Sequence, residues 1–267
     1  MPLNVIIVGA LGRMGREIGS IVLNDPSLKL AGCVEIPDHP LSGIDYGEAL
    51  GKGTISVPVS GDIDDVPCEN AVIINFALRD AVDSFLSKVE GKNTRVVVGT
   101  TGLSDAAIAS FERISTAIPV VLSPNMSLGV NLLFYLVEQT ATRLKDEFDI
   151  EIIEAHHRHK KDSPSGTARR LGEIAASALG LSYDDTVRHG RSGMIGERTN
   201  KEIGMHAVRG GEIVGDHTVL FAGANEKIEL RHMAQSRATF VQGAVFAAKW
   251  LAQKEPGLYS MRDVLEL

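Results

Sequence analysis

The chain has 267 residues, 44% of them apolar, enough to bury a substantial core and to divide into two domains of ordinary size. Its 27 Lys and Arg against 34 Asp and Glu give a net charge of -7, which disfavours non-specific attraction to a nucleic-acid backbone or an anionic membrane surface. No apolar run approaches the roughly 20 residues that span a bilayer, the opening residues lack the ordered regions of a signal peptide, and Cys33 and Cys68 are too few for a disulfide framework or a cysteine zinc site.

These features predict a soluble, cytoplasmic protein with two small hydrophobic cysteines, in which any anionic ligand is held by local positive charge. Asn4 to Gly9 reads as a buried strand, and Arg13 to Leu23 as a helix with Ile18, Ile21 and Val22 at helical spacing. Further short strands are expected at Leu28 to Glu35, Ala71 to Phe76, Arg95 to Thr100 and Pro119 to Ser123, with helices near Asp80 to Val89 and Ser104 to Thr116. This alternation predicts an α/β fold built on a parallel sheet. Pro37 to Pro58, rich in Gly, Pro and acidic residues, reads as a surface excursion with no obvious chemistry.

Beyond Asn125 the pattern changes. Val130, Leu133, Phe134, Val137, Ala141 and Leu144 line one helix face, Asp149 to Ala155 reads as a strand, and a second helix is expected over Thr167 to Leu179. Ile203 to Arg209, a Gly210-Gly211 turn, Thr218 to Ala222 and Lys227 to Met233 then read as strands with hairpin signals. The expected organisation is an α/β domain over 1–127, an α+β domain over 128–238, and a segment over 239–267, with a helix at Phe240 to Lys254, that returns to the first domain.

After the first strand comes Gly9-Ala10-Leu11-Gly12-Arg13-Met14-Gly15, a variant of the dinucleotide fingerprint. Glycines let the backbone turn tightly and approach a pyrophosphate, toward which the next helix directs free N–H groups and its positive dipole end. Glu35 lies twenty residues beyond Gly15, where an acidic side chain accepts hydrogen bonds from the ribose hydroxyls. A carboxylate there argues for NADH over NADPH, Ile36 adds no compensating charge, and Arg13 can meet either cofactor. Gly99-Thr100-Thr101-Gly102 ends the fourth strand, where open parallel sheets bind ligands.

Glu154 to Ala168 reads EAHHRHKKDSPSGTA. Three readings compete for it. A metal site needs the histidines without their cationic neighbours, which oppose a divalent ion, and no H-E-x-x-H pattern is present. A solvated basic surface is the second. The third is an anion pocket, with cationic side chains for carboxylates and the amides of Gly166 and Thr167 at a helix start. Hydride delivered to a C=N or conjugated C=C bond leaves negative charge that must be protonated, and Lys or His supplies that proton. Arg237 offers a further guanidinium for a carboxylate.

Together GALGRMG, VVVGTTG, SPNMSLGVN, EAHHRHKKDSPSGTA and the closing MRDVL resemble the 4-hydroxy-tetrahydrodipicolinate reductase, or dihydrodipicolinate reductase, family over essentially the whole chain. The resemblance implies a Rossmann domain followed by a substrate and oligomerisation domain, and a homotetramer. It implies NADH or NADPH as cofactor, a cyclic dicarboxylate substrate reduced to tetrahydrodipicolinate with loss of water, and a place in lysine biosynthesis through diaminopimelate. Gly9, Ala10, Leu11, Gly12, Arg13 and Met14 would cradle the pyrophosphate, Glu35 the ribose, and Gly99, Thr100, Thr101, Ser123, Pro124, Asn125 and Met126 the nicotinamide side. His156 would match the family's proton donor/acceptor and Lys160 its proton donor, while His157, Gly166, Thr167 and Arg237 would bind substrate. The chain departs from the family at Asn75-Phe76-Ala77, where Asp-Phe-Ser/Thr is common, and at Ile36, where a basic residue is frequent.

Two other readings stay open on sequence. One is a two-domain reductase of a different amino-acid-derived imine, distinguished by its turnover. The other is a nicotinamide-sensing regulator, which would need neither His156 nor Lys160 for chemistry.

Overall fold

The runs of Val and Ile become the sheet of the first of two units in the computed structural model, which describes residues 1–78 and 81–267. That unit comprises residues 1–128 with 238–266, and the second comprises 129–237 with 267. In chain order the first unit runs β1 (Leu3–Val8), α1 (Arg13–Asn24), β2 (Leu28–Val34), α2 (Tyr46–Ala49), β3 (Val59–Ser60), β4 (Val72–Asn75), α3 (Val82–Val89), β5 (Arg95–Val98), α4 (Asp105–Ser115) and β6 (Pro119–Leu122). The helix expected from Asp80 thus starts at Val82, its expected first residue lying outside the described residues.

The second unit runs α5 (Leu128–Leu144), β7 (Asp149–His156), α6 (Gly166–Ala178), α7 (Tyr183–Thr186), β8 (Val187–His189), β9 (Ile203–Arg209), β10 (Asp216–Ala222) and β11 (Lys227–Met233). The chain then re-enters the first unit as α8 (Ala238–Leu251), β12 (Gly257–Tyr259) and α9 (Met261–Val264).

The first sheet has the order β12-β6-β5-β4-β1-β2-β3, with every pairing parallel. Such a sheet is buried on both faces, which is why its strands read as continuous apolar runs. Along β1, Val5 and Ile7 pack into one core with α1 and α8, while Ile6 and Val8 pack into the other with α3 and α4. Each wholly buried Val or Ile contributes about 1.5–3 kcal/mol relative to exposure. Helix α8 is dense in small residues because it lies close to the chain beneath it: a Cβ at Gly243 would fall 1.7 Å from the Met126 carbonyl oxygen. Strand order reverses between β1 and β4, the position at which doubly wound sheets open a crevice.

The second unit is a mixed sheet of order β11-β10-β7-β9-β8. Leu133, Val137 and Ala141 of α5 and Leu171, Ala175 and Ala176 of α6 cover Ile150 and Ile152 of β7 and Val219 and Phe221 of β10. The Gly210-Gly211 pair does not close a hairpin, contrary to its local turn signal. Strand β9 runs parallel to β7 on one side, β10 runs antiparallel to β7 on the other, and the true hairpin joins β10 to β11. Gly211 instead takes a left-handed φ of 50° and its carbonyl accepts the Arg158 N–H, pinning the cationic segment. No helix among the described residues is long and apolar enough to cross a membrane.

Candidate active site

In the first sheet Val8, Asn75, Val98 and Leu122 share one row across β1, β4, β5 and β6, so the residues after them emerge together at the carboxyl edge. Gly9 leads that row with a φ of 79°, and a Cβ there would lie 3.0 Å from the Ala77 nitrogen. Gly15 allows the first turn of α1 to rest on the loop, since its Cβ would fall 2.2 Å from the Gly9 carbonyl oxygen. Gly12 caps α1 with no side-chain hydrogen bond. This glycine cradle and uncapped helix start fit a pyrophosphate.

Glu35 directly follows β2 beside the loop and accepts the Leu11 N–H at 2.9 Å and the Ile36 N–H at 3.1 Å. Arg13 is exposed at the first position of α1, Met14 is half-buried, and Ala10 and Leu11 are buried.

The segment 37–58, expected as a surface excursion, is largely exposed or half-buried but also supplies a buried support. Asp45 caps α2 and accepts N–H groups of Gly47, Glu48, Ile55 and Val57, folding the segment on itself. Tyr46 is thereby fully buried, and its hydroxyl lies 3.0 Å from the Ala10 carbonyl oxygen and 2.8 Å from that of Gly15. Arg16 adds bonds from Nε to the Leu11 carbonyl and from Nη1 to that of Ala49. The glycine loop therefore rests on a built support.

Further along the same edge, Gly99 faces the Phe76 ring, which a Cβ would meet at 2.3 Å. Thr100 is buried and donates to the Ala77 carbonyl, while Thr101 is exposed. Ser123 donates to the Asn125 carbonyl and the Asn125 side chain accepts the Ser127 N–H, a tight turn that leaves Pro124 exposed. Met126 is placed differently from a ligand-lining side chain: it is 2% exposed and packed in the core. Asn75 accepts the Ala77 N–H through Oδ1, so an amide makes this turn without a carboxylate.

In the second unit the cationic segment is organised by a buried acid. Glu154, inward-facing on β7 and wholly buried, accepts the Arg209 guanidinium on both oxygens at 2.8 Å, the Ser165 N–H at 3.1 Å and His156 Nδ1 at 2.6 Å. Burial alone would raise its pKa, but the Arg209, His156 and Ser165 hydrogen bonds outweigh that and hold the carboxyl below its usual range. Burial pushes the His156 pKa down; Glu154 opposes this in part, and Lys160 and Arg209 reinforce it. His217, edge-on to His156 at 5.2 Å, is driven to about 3, chiefly by burial and then by His156, and its Nε2 sits 3.1 Å from Ser165 Oγ.

Ser165 caps α6 by accepting the Ala168 N–H, leaving Gly166 exposed at the helix start and Thr167 half-buried beside it. Lys160 lies on the same loop and bonds Asp162 at 3.0 Å. His157 is half-buried, with Nδ1 unpaired among the described residues. Arg237 is exposed at the end of the second unit, with no ion pair among the described residues. The structure thus joins His156 to the start of α6 through Glu154. Tyr46, Glu154, Arg209 and His217 carry site geometry that local sequence reading overlooks; the signal for Glu154 was a single acid opening a cationic run.

Both cysteines are free and buried. Among the described residues no group of three or more His, Cys, Asp or Glu is arranged to hold a metal.

Residues 3–126 match the family described as dihydrodipicolinate reductase, N-terminus, and residues 129–265 match its C-terminus. A 4-hydroxy-tetrahydrodipicolinate reductase of Syntrophotalea carbinolica is 45% identical over 265 residues, covering 99% of each chain. One from Alkalilimnicola ehrlichii is 45% identical over 267 residues, covering 100% of each. Among solved structures, the dipicolinate-bound dihydrodipicolinate reductase of Paenisporosarcina sp. TG-14 shares the fold with a TM-score of 0.70 at 22% identity, covering 97% of this chain and 98% of that one. An amine dehydrogenase of Mycobacterium smegmatis shares it at a TM-score of 0.61 and 12% identity, covering 98% and 95%.

Proposed function

The chain belongs to the dihydrodipicolinate reductase family, and from that premise we infer that it reduces 4-hydroxy-tetrahydrodipicolinate to tetrahydrodipicolinate with loss of water. It is an oxidoreductase of lysine biosynthesis through diaminopimelate, and it uses a pyridine nucleotide. When bound, the reduced nucleotide supplies the hydride. The protein's own tasks are to grip two carboxylates, to hold the nucleotide's phosphates and ribose, and to deliver a proton where negative charge develops.

Gly9 to Met14 hold the pyrophosphate and Glu35 the ribose. Gly99, Thr100, Thr101 and Ser123 to Asn125 face the nicotinamide, with Met126 acting through its backbone. Either NADH or NADPH is accepted: Glu35 favours the cofactor without a 2′-phosphate, and exposed Arg13 offers a cation to both.

His157, the amide groups of Gly166 and Thr167, and Arg237 bind the substrate carboxylates. Lys160, paired with Asp162, is the proton donor, and His156 exchanges protons through Nε2. The observation that carries this reading is the Glu154 carboxylate, which ties His156 and the start of α6 into one unit. The apolar Ile153, Val208 and Met233, exposed on the second sheet, support assembly of a homotetramer through that domain. A location in the cytoplasm accords with the biosynthetic role. A coupled assay that generates the unstable substrate in situ, run with each nucleotide, tests the function: oxidation of either supports it, and oxidation of neither overturns it.

A further inference from the structure

Every acceptor direction of the Glu154 carboxylate is used. Arg209 takes one direction on each oxygen, the Ser165 N–H a second on Oε1, and His156 Nδ1 a second on Oε2. An anionic carboxylate only accepts, so the short Glu154–His156 contact places a proton on Nδ1. In the neutral ring Nε2 is then bare. That nitrogen faces Gly215, where a Cβ would lie 3.1 Å from it, so the absence of a side chain keeps space in front of it.

We propose that Glu154 is a positioning residue for His156: it fixes the Nδ1–H tautomer, presents Nε2 as the proton-exchanging atom, and through the Ser165 N–H aligns that ring with the start of α6. Arg209 completes the device. Its bidentate grip keeps Glu154 anionic, so the Nδ1 proton stays on the ring and the imidazolium formed on protonation has a carboxylate beside it. His217 serves as a neutral wall, edge-on to the ring and anchored by Ser165. The catalytic consequence rests on His156 exchanging protons during turnover; the tautomer itself does not.

The charged and titratable groups facing His156 are Glu154 on its own strand, Arg209 on β9, His217 on β10 and Lys160 on the loop. Of these only Glu154 favours the imidazolium. Glu154→Gln therefore moves the His156 inflection in the pH profile of kcat/KM to lower pH. The amide also offers N–H to Nδ1, inverting the tautomer, and kcat falls by about 10²-fold with the substrate KM little changed.

The test is a two-bond 15N–1H spectrum of full-length protein labelled in histidine, with His156 assigned by its absence in His156→Gln. The expected spectrum shows a protonated Nδ1 and a bare Nε2 in the unsubstituted protein, and the reverse in Glu154→Gln. A proton on Nε2 in the unsubstituted protein overturns the inference even if the variant fails to fold. An unchanged kcat, pH profile and tautomer in a folded Glu154→Gln overturns it as well. Normal turnover by His156→Gln would remove the proton-exchange role while leaving the tautomer assignment to the spectrum.

Discussion

The Tyr46 hydroxyl lies 2.8 Å from the Gly15 carbonyl oxygen, bridging the first turn of α1 to a segment thirty-one residues away in sequence. The same hydroxyl reaches the Ala10 carbonyl at 3.0 Å, so one proton serves two buried acceptors beneath the nucleotide loop. Tyr46→Phe leaves both without it. Stability should fall by about 1–3 kcal/mol, and nucleotide affinity should weaken several-fold while the substrate KM holds. Denaturant unfolding and a fluorescence titration with NADH check the two parts. Unchanged affinity would show that the loop does not depend on this support.

Gly15→Ala places a methyl where two backbone carbonyls stand, Gly9 at 2.2 Å and Ala10 at 2.6 Å. Backbone cannot yield as a side-chain tip does, so the helix start must lift off the loop. A loss of about 1–3 kcal/mol is expected, with nucleotide binding weakened more than the melting temperature suggests. Calorimetric titration with NADH and NADPH reads the effect directly.

Lys160→Met keeps the stem length but removes the acid and the partner of Asp162. Turnover should drop by about 10²- to 10⁴-fold, with the melting temperature little changed because the Asp162 end of the pair is exposed to solvent. Steady-state kinetics alongside substrate binding separates the roles. Near-normal kcat with normal binding would remove Lys160 as the proton donor.

Glu151 predicts how the second unit responds to acid. Burial alone would raise its pKa, but hydrogen bonds from Arg191, His206 and Arg198 bring it down to about 2 from 4.5. A folded-state pKa below the unfolded one means stability is fully present above the unfolded value and is lost as pH falls toward the folded value. The melting temperature should therefore fall between about pH 4.5 and pH 2, a slope to which Glu151 contributes. Glu151→Gln should lower stability at neutral pH and flatten that slope. An equally steep acid limb in the variant would place the titration elsewhere.

What the sequence disclosed was local. The run from Gly9 to Gly15 belongs to one strand-turn-helix unit and Glu35 to the strand end that follows it, so both were legible from the periodicity of a single strand-helix-strand stretch. The clustering of His156, Lys160 and Gly166 was legible for the same reason. Tyr46 was not, because its meaning depends on the carbonyls it reaches across thirty-one and thirty-six positions. Arg209 is fifty-five positions from Glu154, and His217 fifty-two from Ser165. Gly210-Gly211 misled because a turn dipeptide reports a bend and not the strand that follows it; sheet order decided the pairing.

The most direct measurement is the fate of a labelled hydride. NADH and NADPH carrying deuterium at the transferable position of the nicotinamide are each supplied with substrate generated in situ, and the tetrahydrodipicolinate formed is analysed by mass spectrometry. The account predicts that the product carries the deuterium, and that Lys160→Met and His156→Gln slow its appearance. Unlabelled product, or no product with either nucleotide, would contradict it.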